Sequence, residues 1–226
     1  MKKFFLLNIL MALPLTAQVY ELGIGGGSAT MISDLGTDSF YLPDGYFVGG
    51  LYRVNSNEWF SVRLNLNYAF MGEYDYESES AGRRKRRWYA ETRVYDINLM
   101  VEYNFLPANP YKRPDVMWIT PYIAGGLGAY VSDLKMVTSA VRTIRHQENA
   151  AFLPLAAGLK VTFRNRMKLI WEIKPQYSFK DNMEGSIMAD SRDEPKTNRL
   201  ANDWFIYNGI SLTFGWGKLP CYLNLF

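Results

Sequence analysis

Residues 166–179 read RMKLIWEIKPQYSF, and every second side chain is apolar or aromatic: Leu169, Trp171, Ile173, Pro175, Tyr177 and Phe179. Between them stand Lys168, Ile170, Glu172, Lys174, Gln176 and Ser178, a mostly polar and charged set. A period of two places the two sets on opposite faces of one strand. The alternation recurs. Phe60, Val62, Leu64, Leu66, Tyr68 and Phe70 oppose Ser61, Arg63, Asn65, Asn67 and Ala69. Tyr95, Ile97, Leu99, Val101, Tyr103 and Phe105 oppose Asp96, Asn98, Met100, Glu102 and Asn104. Eight such segments can be marked, at 19–27, 46–54, 58–70, 92–105, 120–131, 151–163, 167–179 and 203–216. Ordinary strands run to about 5–6 residues, whereas a tilted membrane strand needs about 9–11. The longer length fits these segments, and no 3.6-residue period competes over any long stretch.

The connections decide which face turns inward. Residues 55–57 (NSN) and 164–166 (RNR) are tight, and 106–119 is moderate with three prolines. The other four connections, 28–45, 71–91, 132–150 and 180–202, are each near twenty residues. Short and long alternate, which is the arrangement of short periplasmic turns and long extracellular loops in an outer-membrane barrel. The sequence therefore predicts an all-β fold: an eight-stranded antiparallel transmembrane β-barrel over 19–216, with its oily faces toward lipid. Arg63, Glu102, Lys160, Glu172, Lys174, Asn65, Asn67, Asn98 and Asn104 then turn inward as a polar plug. Lys168, Glu172 and Lys174 need counter-charges there, and Glu21, Arg63, Glu102 and Lys160 are the candidates. Trp59, Tyr103, Phe105, Trp118, Phe163, Tyr177, Phe179, Trp204 and Trp216 suit interfacial girdles. Pro175 cannot donate to a strand ladder, so an irregularity is expected beside it. The runs GIGGG (23–27) and YIAGGLGAY (122–130) lie on strands with no helix following. They read as room for bulky plug side chains rather than as phosphate-binding loops.

The N-terminus adds a location. MKKFFLLNILMALPLTAQ has two lysines, an apolar run and a small-residue end, the pattern of a secretory signal peptide over 1–18 cleaved near Ala17 or Gln18. A buried N-terminal helix is the competing reading. Beyond it no window approaches 18 consecutive apolar residues, so no transmembrane helix is expected. The expected location is the cell outer membrane, with 217–226 as a periplasmic tail. The formal net charge is +3, and leaving out Lys2 and Lys3 makes it +1. That is too near neutral to imply a nucleic-acid partner.

Candidate chemistry is sparse. His146 is the single histidine, in RTIRHQEN, and is expected to be an exposed loop residue. Cys221 is the single cysteine, so no intramolecular disulfide can form. In the predicted tail it is an idle thiol or one half of an intermolecular bridge. In the loop 71–91, the acidic EYDYESES (73–80) precedes the basic GRRKRRW (82–88). That loop is a candidate for self-pairing or for contact with lipopolysaccharide phosphates. Nothing selects a catalytic set, a cofactor-binding motif or metal ligands, so a non-enzymatic protein is expected.

VYELGIGGGSATMISDLG after a leader ending TAQ, then TPYIAGGLGAYV, then DWFIYNGISLTFGWG with a cysteine-bearing tail, together resemble the PorG family. These are outer-membrane barrels associated with the type IX secretion system of Bacteroidota. The resemblance covers nearly all of the mature chain. It implies a structural component of the secretion and gliding machinery that anchors a periplasmic ring of PorK and PorN type. Residues 55–57, 106–119, 164–166 and 217–226 would carry that contact. Two other readings stay open on the residues alone. One is a generic small outer-membrane barrel, OmpX-like, for adhesion or envelope stability. The other is a barrel enzyme acting on lipid or peptide. A pore is disfavoured, because eight strands leave no water-filled lumen.

Overall fold

Alternation this long commits both faces of a sheet, and closure removes its unpaired edges. The computed structural model describes residues 19–32, 43–74, 89–106, 117–137, 143–163, 166–180 and 204–217. They form β1 (Val19–Ile32), β2 (Gly45–Asn55), β3 (Phe60–Tyr74), β4 (Tyr89–Asn104), β5 (Trp118–Val137), β6 (Thr143–Phe163), β7 (Met167–Ser178) and β8 (Trp204–Gly217). Each strand pairs antiparallel with its sequence neighbour. β1 closes on β8, from Val19↔Gly217 to Ile32↔Trp204. The expected closed eight-stranded barrel is the fold.

The faces are inverted relative to a water-soluble sheet. Along β4 buried and outward residues alternate without a break from Ala90 to Glu102. Ile24, Leu66, Leu99 and Leu127 are more than half exposed, whereas Arg53, Arg63 and Glu102 are at most 1% exposed. A continuous apolar exterior around a charged interior fits hydrocarbon, not water. Aromatic contacts mark both margins of this belt. At the short-turn end Tyr20 stacks at 6.3 Å on both Tyr52 and Trp216, and Trp59 and Phe60 pack on Tyr103 at 6.2 and 5.2 Å. At the other end Tyr68 meets Tyr95 at 5.0 Å, and Tyr177 meets Trp204 at 5.0 Å and Phe179 at 5.7 Å. Trp118 departs from the expected girdle. It shares the inward parity of the buried Thr120 and Tyr122, and its indole nitrogen is buried. Asn208 is an outward polar residue beside the belt, and its Oδ1 accepts the Trp171 indole N–H at 3.1 Å. Each thus satisfies the other where lipid offers no partner.

The strands overrun their expected ends. β5 and β6 continue to Val137↔Thr143, so the long loop expected at 132–150 shrinks to 138–142, outside the described residues. The strict alternation of short and long connections therefore fails here. The physical reason is that the outward residues turn polar above the belt, at Asp133, Lys135, Arg145 and Gln147, while backbone pairing continues. The apolar period stops marking the strand before the strand stops. His146 consequently lies in β6, opposite Leu134, and not in a loop.

The expected irregularity beside Pro175 takes the form of an interruption. The β6–β7 ladder skips from Pro154↔Gln176 to Ala157↔Ile173 with its register kept. The β5–β6 ladder has a matching gap between Gly125↔Leu155 and Gly128↔Phe152, beside Pro154. On its other side β7 pairs with β8 straight through Pro175↔Ile206.

The face assignment has a direct check. With Cys221 replaced by serine, single cysteines placed at 97 to 102 and spin-labelled in lipid should alternate. Labels at 97, 99 and 101 should relax with dissolved oxygen, and those at 98, 100 and 102 should be shielded and immobile. A reversed or absent alternation would contradict the barrel's orientation.

Candidate functional site: an ion-paired interior and a charged outer rim

The register forces an electrostatic problem on the lumen. Glu21 of β1 lies opposite Arg53 of β2, and Arg53 lies opposite Arg63 of β3. Like charges directly across a ladder repel. Glu102 of β4 resolves this. Its Oε2 is 2.9 Å from Arg53 Nε, and its Oε1 is 3.1 Å from Arg63 Nε. Arg53 Nη2 donates to Glu102 Oε1 at 3.0 Å, and Lys160 Nζ of β6 donates to Oε2 at 2.5 Å. One carboxylate therefore meets three cations.

The network then extends around the wall to β1 and β7, and crosses the lumen between Arg63 and Glu172. Arg53 Nη1 donates to Glu21 Oε2 at 2.7 Å, and Lys168 Nζ of β7 donates to Glu21 Oε1 at 2.5 Å. Arg63 Nη2 donates to Glu172 Oε2 of β7 at 2.7 Å, and so does Tyr122 Oη of β5 at 2.5 Å. Lys160 also sits 4.2 Å from the centre of the Tyr122 ring. Above this layer Asn65 donates to Asn98 at 2.6 Å, while Asn67 and Asn98 donate to Asp96 Oδ1 at 2.7 and 2.8 Å. Tyr207 donates to Asp96 Oδ2 at 3.1 Å.

The charged part of the expected polar plug is concentrated in the half of the interior nearer the short turns. Toward the long connections the lumen is filled by Met31, Met71, Val94, Tyr130, Phe152 and Phe205, all at most 2% exposed. Glycines make space for rings in both halves of the lumen. A Cβ at Gly128 would lie 2.3 Å from Phe152, and one at Gly158 would lie 2.9 Å from Tyr122.

The inward residues named from sequence are thus brought together, with one difference. Lys174 makes no ion pair among the described residues. It lies 5.2 Å from the Tyr207 ring and 6.0 Å from the Phe47 ring, beside a cavity of about 40 Å³. Arg53 and the apolar half of the plug were missed. Glycines at 49 and 50 blur the alternation around Arg53, although its spacing from the strand end mirrors that of Glu21. The plug residues stand at inward parity, at Met31, Met71 and Phe152, and parity was the signal available.

A second charged surface lies outside. On the outward face of β4, β5 and β6, beyond the apolar belt, stand Glu91, Arg93, Asp133, Lys135 and Arg145. They line a recess of about 540 Å³. Lys135 Nζ is 3.9 Å from Glu91 Oε2. Among the described residues no group of three or more His, Cys, Asp or Glu is placed to hold a metal ion. The leader 1–18, the basic run 82–88, the turn residues 107–116, Arg164, Asn165 and the tail 218–226 with Cys221 lie outside the described residues.

Breaking a buried ion network by removing one partner costs about 3–5 kcal/mol. Glu102→Gln should show a loss of that size in urea titrations of the barrel folded into lipid vesicles. Lys168→Met should cost less than Glu102→Gln, because Lys168 is partly exposed and Glu21 keeps its contact with Arg53. Equal effects from the two substitutions would argue against Glu102 as the hub.

Three solved structures are similar in fold. The N-terminal β-barrel domain of Pseudomonas aeruginosa OprF is 14% identical over 89% of this chain and 98% of its own, with a TM-score of 0.46. The Yersinia pestis attachment invasion locus protein Ail, solved with the heparin analogue sucrose octasulfate, is 12% identical over 88% and 99%, with a TM-score of 0.48. A major outer membrane protein from Thermus thermophilus is 10% identical over 88% and 100%, with a TM-score of 0.48. No curated protein matches the chain. The model of one family, described as a domain of unknown function (DUF6089), matches residues 2–224. With nearly its whole length matched, this barrel-forming chain belongs to the DUF6089 family.

Proposed function

We propose that the chain spans the cell outer membrane as a closed, non-conducting and non-enzymatic barrel. In that position it serves the type IX protein secretion machinery of Bacteroidota, anchoring a periplasmic ring of PorK and PorN type. The observation that carries the membrane reading is the inversion of the barrel: apolar side chains on the exterior, and Arg53, Arg63 and Glu102 at 0–1% exposure within. The secretion reading rests on the glycine-rich first strand, the TPYIAGGLGAYV strand and the closing strand ending GISLTFGWG.

An ion-paired interior suits an anchor. Its cross-lumen pairs resist shear between strands, and its filled lumen conducts nothing. The short turns, facing the periplasm in this reading, are the contact surface. One of them is held firmly, since Asn57 Oδ1 accepts the backbone N–H groups of Trp59 at 2.9 Å and Phe60 at 2.7 Å.

A second reading, a small surface barrel for adhesion or envelope stability, is favoured by one feature. The β6–β7 ladder ends at Phe152↔Ser178, whereas β5–β6 pairing runs on through residues 143–151. About 30 Å of strand thereby continues past the end of β7.

Deleting the gene should abolish export of cargo carrying the type IX C-terminal signal, while the purified barrel shows heat-modifiable gel mobility and no conductance steps in planar bilayers. Normal cargo export, with loss of surface attachment on deleting 138–142, would select the second reading. Stable conductance steps would contradict both.

A further inference from the structure

We propose that Arg93, Lys135 and Arg145 form a binding site for the phosphate groups of an outer-leaflet glycolipid, on the outward face of β4, β5 and β6. This rests on the outer-membrane reading above. The register puts Glu91, Lys135 and Arg145 in one row and Arg93, Asp133 and Gln147 in the next. Lys135 and Arg145 are therefore directly opposite each other. A like-charge pair across a ladder is destabilising unless an anion lies between its members. Arg93 and Arg145 are exposed and make no ion pair among the described residues. Lys135 is 47% exposed, and its nearest carboxylate is the 3.9 Å contact with Glu91. The face carries three cations against two carboxylates. The surplus lies on the β6 side, where the outward residues Arg145, Gln147 and Asn149 include no acid. Both rows border the same recess of about 540 Å³, large enough for a sugar phosphate.

Position argues for a lipid rather than free phosphate. The two rows lie two and four residues beyond Tyr95, about 7–13 Å along the strand, which is headgroup depth when the belt lies in hydrocarbon. Immediately below, Val48, Leu66, Tyr68, Tyr95, Ile97 and Val131 line an open apolar groove of about 850 Å³. The groove runs from β2 across to β6, and its Tyr95, Ile97 and Val131 lie on β4 and β5, directly below the basic rows. A ligand with an anionic head and an acyl chain fits both surfaces at once, with phosphate held by charge-assisted hydrogen bonds to the guanidinium groups.

The test uses the full-length barrel refolded in detergent, with native mass spectrometry reading retention of a bis-phosphorylated lipid A and of its dephosphorylated form. Wild type should retain the phosphorylated lipid at least about tenfold better than the combined Arg93→Gln, Lys135→Gln and Arg145→Gln variant. It should not retain the dephosphorylated lipid above that variant, and millimolar inorganic phosphate should displace little. The Glu91→Gln, Asp133→Asn variant should retain more than wild type, which guards against loss through misfolding. Heat-modifiable mobility is read on every sample. Equal retention of the two lipids, unchanged retention by the triple variant, or full displacement by phosphate overturns the proposal while leaving a heat-shifted barrel standing. A chain showing no heat shift would instead sink the membrane reading itself.

Discussion

The carboxylate of Glu102 is the constraint on which the rest of this barrel depends. It faces two arginines that the register places side by side, and a lysine reaching across from β6. None of these four groups is more than a few per cent exposed. Charges withdrawn from water are tolerated when each is paired and hydrogen-bonded, and they become a large penalty when one is not. The ladder pairs, the closure of β1 on β8 and the inward-facing side chains of β7 all keep these groups within reach of one another. Any slip of one residue would turn the charges into lipid.

The interior is divided rather than uniform. Ionic contacts are concentrated near the short turns, and a cluster of methionine and aromatic side chains dominates the other end. Such a division suits a narrow lumen. Long charged side chains can span it and meet mid-lumen, as Arg63 and Glu172 do. Flat rings fill it where glycines on the wall leave room, as Phe152 does against Gly128. Lys174 marks the boundary between the halves, with ring faces and a small cavity on one side and the carboxylates of Glu172 and Asp96 nearby.

Much of this was legible in the chain itself. Strand number, closure and the inward set from Arg63 to Lys174 follow from period-two alternation, because side-chain parity is fixed by the backbone. Strand ends were less legible. Alternation of apolar residues reports the height of the hydrocarbon layer, not the extent of backbone pairing, so β5 and β6 ran past their marks and carried His146 with them. Trp118 was misassigned for a related reason: aromatic type suggested an interface, whereas parity pointed inward. The outer basic rows were legible only in part. Arg93, Lys135 and Arg145 are far apart in sequence, and the register alone brings them together.

The cross-lumen pairs also bear on how such a chain enters a bilayer. Glu21 lies in the first strand, and the lysine that completes its pairing lies in the seventh. A sheet of four or five strands lying open in lipid would present Arg53, Arg63 and Glu102 to hydrocarbon, where each charge is costly. Partially inserted intermediates are therefore disfavoured as long as the sheet is unclosed. Insertion and closure become one cooperative event, and the same ion pairs that hold the finished wall together act as a gate against half-assembled forms.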